Sequence, residues 1–92
     1  MKKASKGQQL IAKELPDAEM DKLLLEIGKQ LKVMRDGRTT LERFAYEINI
    51  SRSQMSKYEG GGDMRLSTFL RLLHGLDTTG EVFFKELQKK NR

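Results

Sequence analysis

Residues 40–59, TLERFAYEINISRSQMSKYE, read as two short amphipathic helices locked around one tight turn. Thr40 is suited to cap the first of them. Leu41, Phe44, Ala45 and Ile48 then recur at helical spacing and form one apolar stripe. Asn49 interrupts the pattern, and Asn is among the few residues that adopt a left-handed backbone cheaply. Ser51 is placed to cap the next helix, whose inward positions are Met55 and Tyr58. Its outward positions are Arg52, Ser53, Gln54, Ser56 and Lys57, with no acid before Glu59. Flexible donors and hydroxyls on an acid-free helix face suit contact with phosphates and base edges in a DNA major groove.

Working outward, Pro16 and Asp17 mark a helix start, with proline in the first turn and acids opposing the dipole. Met20, Leu24, Ile27, Leu31 and Met34 then alternate four- and three-residue steps, the spacing of one buried stripe, until Asp36-Gly37 closes the helix. Leu23 and Leu25 are apolar off that stripe, so the opening turns are expected to pack on the C-terminal helix or on a partner subunit. After Glu59, the run Gly60-Gly61-Gly62 reads as a turn; it lacks the Lys-Ser/Thr signature and preceding strand of a phosphate loop. A fourth helix starting near Ser67 carries Leu66, Phe69, Leu70, Leu72, Leu73 and Leu76. A fifth spans Glu81–Lys90 with Val82, Phe83, Phe84 and Leu87. No strand pattern appears, so the expected fold is all-α with five helices.

The central stretch resembles the helix-turn-helix of the Cro and lambda-repressor family, the xenobiotic-response-element type. Phe44-Ala45, Asn49, Ile50 through Met55, and Tyr58-Glu59-Gly60 carry the likeness, which runs from about Ile27 to about Leu76. Two departures are an Asn where the family usually has a turn Gly, and no Pro in the loop after Glu59. The resemblance implies a five-helix repressor-type bundle over 16–92, here with an extended first helix and a basic arm at 1–15. It also implies a sequence-specific transcriptional regulator that pairs through its last helix and binds double-stranded DNA. By the same likeness Ser51, Arg52, Ser53 and Lys57 occupy base-reading positions, and Arg52 is the foremost reader because a guanidinium bridges guanine O6 and N7. Thr40 and Leu41 fall where the second helix approaches the DNA backbone, and Ser56, Arg38 and Arg65 are candidate phosphate contacts. Val82, Phe83, Phe84 and Leu87 are the expected two-fold interface, being more apolar than one small-domain face requires.

Composition sets the outer limits. Ninety-two residues make one small domain, and the absence of cysteine removes disulfides and thiolate metal sites. No stretch approaches a membrane span, and the basic start lacks the apolar core of a signal peptide, so a cytoplasmic protein is expected. The net charge is +5, but Lys2, Lys3, Lys6 and Lys13 supply most of it; residues 14–78 net −1. The sign of the total is therefore weaker evidence for nucleic acid than the placement of Arg52 and Lys57. His74 stands alone and reads as a surface residue, Glu42 and Glu47 as solvated or paired with Arg43 or Arg38, and Met20, Met34, Met55 and Met64 as gap-filling residues. Nothing points to an enzyme, a cofactor or a metal. The alternative reading is an antitoxin-like module that captures a protein through residues 1–25 or 80–92 while also regulating its own operon.

Overall fold

The computed structural model describes residues 13–90. Five helices follow one another: α1 (Asp17–Asp36), α2 (Leu41–Glu47), α3 (Arg52–Glu59), α4 (Leu66–Gly75) and α5 (Gly80–Lys90). There is no strand among the described residues, and the basic arm expected at 1–15 falls almost wholly outside them. α1 is the spine. It packs against α2, α3 and α5, while α2 packs on α3 and α4 on α5.

The core contains Leu31, Phe44, Ala45, Met55, Leu72, Leu73, Leu76 and Phe83, with Phe83, Leu31, Met55 and Leu72 fully enclosed. Ile27, Met34, Leu41, Ile48, Ile50, Tyr58, Met64 and Phe69 pack around it. Fully burying one such side chain is worth about 1.5–3 kcal/mol, so the stripes read from the sequence provide the main cohesion. Two parts of those stripes are not buried. Met20, at the front of the α1 stripe, is 43% exposed, and Leu66 and Leu70 of α4 are 71% and 55% exposed. The reason is geometric: α1 begins before the rest of the bundle does, and α4 is covered on one side only.

α2, α3 and α4 end in the same way. Each runs into a left-handed residue, Asn49 (φ 62°), Gly61 (φ 99°) and Asp77 (φ 55°). In each case the following amide reaches back to the helix: Ile50 N to Ala45 O at 3.0 Å, Gly62 N to Lys57 O at 2.8 Å, Thr78 N to Leu73 O at 3.0 Å. This is the Schellman closure, which satisfies carbonyls that a helix end otherwise leaves orphaned. At Asp77 the conformation is reinforced from outside. Arg38 donates to its carboxylate at 2.6 Å and to Leu76 O at 2.8 Å, tying the α1–α2 loop to the α4–α5 turn. That hydrogen bond, with the Arg38 charge behind it, holds the Asp77 carboxyl below its ordinary value. A depressed carboxylate stabilises the fold above its unfolded-state pKa, and the contribution fades as pH falls through the folded one.

The contact of α1 with α3 is close enough to exclude any side chain between them. A Cβ on Gly28 would sit 2.6 Å from Tyr58 O and 2.7 Å from Glu59 O. About two turns further along, Arg35 reaches the same end of α3. Its Nε and Nη2 donate to the two Glu59 carboxylate oxygens at 2.8 Å each, with both side chains almost fully buried. The remaining guanidinium nitrogen donates to Thr39 O at 3.1 Å and faces Asp36. The Glu59 hydrogen bonds raise the already high Arg35 pKa, so the guanidinium keeps its charge. Removing one partner of a buried pair leaves a stranded charge, so Glu59→Ala is expected to lower unfolding free energy by about 3–5 kcal/mol. Joint replacement of Arg35→Met and Glu59→Leu should recover most of that loss. Urea unfolding of the two variants beside the parent measures both effects.

Candidate nucleic-acid interface

α2, Asn49 and α3 form a helix-turn-helix, and each end of the turn is fixed by local chemistry. Thr40 Oγ1 accepts from Arg43 N at 3.2 Å and starts α2. Asn49 reverses the chain, and Ile50 returns to the core. Ser51 then opens α3 through a reciprocal box: its hydroxyl oxygen accepts from Gln54 N at 3.0 Å, while Gln54 Oε1 accepts from Ser51 N at 3.2 Å. Two orphan amides are satisfied within four residues, which fixes where α3 begins.

On α3, Met55 and Glu59 are buried and Tyr58 is half-buried; Arg52, Ser53, Gln54, Ser56 and Lys57 all face solvent. The outward face of the helix is therefore the one expected from the sequence. It has no acid in its first turn and carries Lys57 in its last. The α3–α4 loop lies against Lys57, since a Cβ on Gly62 would meet Lys57 Cγ at 2.5 Å.

The structure sorts the remaining candidates. Arg65 is exposed, stands at the N-cap of α4 and forms no ion pair among the described residues. Leu41 is half-buried and packs against the core. Arg38, an expected phosphate contact, is exposed and bonded within the protomer to Asp77 and to Leu76 O. Phe83 is a correction. It is 0% exposed and stacks edge-on with Phe69 and Phe84 at centroid distances of 5.3 and 5.2 Å, so it belongs to the core rather than to a subunit interface. Its neighbours Val82 and Phe84 are 47% and 41% exposed, and Leu87 is half-buried.

Three features go beyond the expectations drawn from the sequence. Glu42 on α2 lies 3.6 Å from Arg52 Nε across the turn, whereas Glu47 pairs with Arg43 as expected for an i,i+4 couple. Tyr46 is 86% exposed on the outer side of α2. Gln54, read as a simple outward donor, has its amide oxygen committed to the capping box. A capping-box pattern, Ser followed three residues later by Gln, was the signal that identifies the last.

Among the described residues no cluster of His, Asp or Glu could hold a metal ion, and no helix is long and apolar enough to cross a membrane. Among solved structures, the chain is similar to the restriction-modification controller protein C.Esp1396I. Its wild-type form matches with a TM-score of 0.66 and 28% identity over 73% of this chain and 90% of that one. A single-site mutant of the same controller matches with the same score and identity over 92% of its length. No family model matches the sequence, and no curated protein does. The five-helix arrangement is thus similar to that of a helix-turn-helix controller protein.

The turn can be tested apart from any ligand. Asn49→Gly should leave stability nearly unchanged, because glycine accepts φ 62° freely. Asn49→Val should cost about 1–2 kcal/mol from the left-handed penalty, and Ser51→Ala about 1 kcal/mol from the lost cap. Denaturant unfolding of the three variants reads each term; equal loss in the glycine and valine proteins contradicts the assignment.

Proposed function

We propose that the protein is a sequence-specific DNA-binding transcriptional regulator that inserts α3 into the major groove. The observation that carries this reading is the face of α3: exposed, acid-free, rich in donors, and held rigidly by the turn before it and the buried pair behind it. Likeness to a controller protein at 28% identity supports it. Arg52 is the principal base reader, with Ser53 and Lys57 beside it. The Ser51 hydroxyl is occupied in the cap, so Ser51 contributes the start of the helix more than a free donor. Thr40, Ser56, Arg65 and the Leu41 amide contact phosphates. Glu42 holds Arg52 when DNA is absent; an exposed pair is worth only ~0–1 kcal/mol, so a base edge displaces it readily.

Pairing of two copies completes the reading, because one eight-residue helix covers few base pairs and a dimer places two of them about one DNA turn apart. Val82, Phe84 and Leu87 on α5, with Leu66 and Leu70 on α4, supply exposed apolar surface for it. Phe69 joins the two helices, its ring 5.8 Å from that of Phe84.

Selection of preferred sites from random duplex DNA tests the proposal, reporting binding, symmetry and spacing together. In a recovered site, Arg52→Ala is expected to reduce discrimination at one base pair per half-site by about 1–3 kcal/mol without loss of fold. Affinity of the parent should fall steeply with salt, as phosphate contacts release counterions. An unaltered preference in Arg52→Ala removes it as the reader. For the pairing, Leu70→Asp and Phe84→Asp should each yield monomers in sedimentation at micromolar protein; a parent that is monomeric with and without DNA ends the dimer proposal.

A further inference from the structure

The stripe that packs α1 into the bundle does not stop where the bundle stops. Ile27, Leu31 and Met34 are covered by the other helices, but the same seam continues forward through Leu24, half-buried, to Met20, 43% exposed. Leu23 beside it is also 43% exposed, and Leu15, just before the helix, 47%. At ~1.5 Å per residue the stretch from Asp17 to Leu24 extends the rod by roughly 10–12 Å. A single apolar residue on a surface needs no explanation, whereas a seam continued past its covered part presents a helix-packing face with no partner among the described residues.

The flanks of that face specify what fits it. At 100° per residue, Glu19 falls on one side of the Met20–Leu23–Leu24 strip and Asp17 and Asp21 on the other. Residues 14–26 contain five acids, Glu14, Asp17, Glu19, Asp21 and Glu26, against one base, Lys22. This is the most acidic stretch of a chain whose net charge is +5. Such a surface repels phosphate, so it is no part of a DNA interface. A two-fold contact of this face with its own copy would set acid against acid along both edges, which is destabilising. The basic arm at 1–13 has the sign to meet these flanks but offers only Leu10 and Ile11 as bulky aliphatic side chains, too few to match the strip of Leu15, Met20, Leu23 and Leu24. An amphipathic helix with a full apolar stripe and basic borders meets neither obstacle.

We propose that the front of α1, with Met20 and Leu23 as anchors and Asp17, Glu19 and Asp21 as flanks, docks a preformed amphipathic helix of another protein whose apolar stripe is bordered by Lys and Arg. The mode is helix against helix, with acidic flanks selecting the partner by sign and the apolar strip providing the holding energy. It places protein capture and the α3 surface on separate parts of the chain.

The test uses the full-length protein and two designed helical peptides with the same apolar stripe, one flanked by Lys and one by Glu, followed by fluorescence anisotropy. The Lys-flanked peptide is expected to bind saturably and at least about tenfold more tightly than the Glu-flanked one, a gap that narrows with salt. Met20→Ala with Leu23→Ala should weaken it about tenfold or more, as truncating two central anchors does, and Glu19→Lys with Asp21→Lys should reverse the preference. Because these side chains are exposed, melting temperature should hold in all variants. Equal affinity for both peptides, or binding unaffected by the double alanine variant, overturns the proposal. So does loss of self-association in that variant by sedimentation, which assigns the face to a second copy. A gain in peptide affinity in Leu10→Ala with Ile11→Ala overturns it too, since the chain's own arm is then the occupant.

Discussion

The bidentate contact between Arg35 and Glu59 is the constraint on which the rest of the arrangement depends. One guanidinium, buried near the C-terminal end of α1, is bonded to the end of α3, to the Thr39 carbonyl ahead of α2, and to Asp36 on its own helix. Three segments are thereby referred to one planar group with fixed donor directions. Gly28 supplies the matching absence: without a side chain there, the α1 backbone meets the carbonyls of Tyr58 and Glu59 directly. An ion pair of this kind is weak evidence for stability, because desolvation offsets much of the attraction. Its consequence here is orientational. With Met55 in the core and Glu59 clamped, α3 has one rotational setting, and that setting turns residues 52, 53, 56 and 57 outward.

What could be read from the sequence was what local chemistry decides. Thr40, Asn49 and Ser51 announce a cap, a left-handed residue and a second cap, and each is found in that role because its cause lies within a few residues. The apolar stripes were legible for the same reason, since periodicity records which face of a helix avoids water. Periodicity does not record what covers the face. Phe83 and Phe84 look alike in the sequence, yet one is enclosed and the other half out, because α5 turns a single side toward α1 and α4. Leu66 and Leu70 belong to the α4 stripe by spacing and stand exposed because no helix among the described residues lies over them.

Charged partners were the least legible part of the site. Arg35 and Glu59 are 24 residues apart, and nothing in either neighbourhood marks them as buried. Arg38 and Asp77 are 39 apart, and only the placing of the α4–α5 turn against the α1–α2 loop brings them together. Glu42 and Arg52 meet only because the turn at Asn49 brings two helix N-terminal regions together. In each case the pairing is a consequence of the fold and not of the spacing. Ion pairs at i,i+4, such as Arg43 with Glu47, are the exception that the sequence does announce.

The same distinction explains how α1 is organised along its length. From Ile27 to Arg35 its inward residues are fully used: Leu31 in the core, Gly28 against α3 carbonyls, Arg35 in the clamp. From Asp17 to Leu24 the helix keeps its apolar seam and gains acids, and among the described residues only Leu24 of that stretch is half-buried, the rest standing exposed. A short helix with that much exposed apolar surface is marginal by itself, and here it is held as an extension of a turn already nucleated in the bundle. The fold thus sustains an exposed helical face that its front residues could not sustain alone. It does so at about 12 Å (Met20) and about 7.5 Å (Leu23), eight and five residues at ~1.5 Å each, from the glycine contact that fixes α3. Substitutions at Met20 and Leu23 therefore fall outside the network that orients α3, and each end of the helix can be altered without disturbing the other.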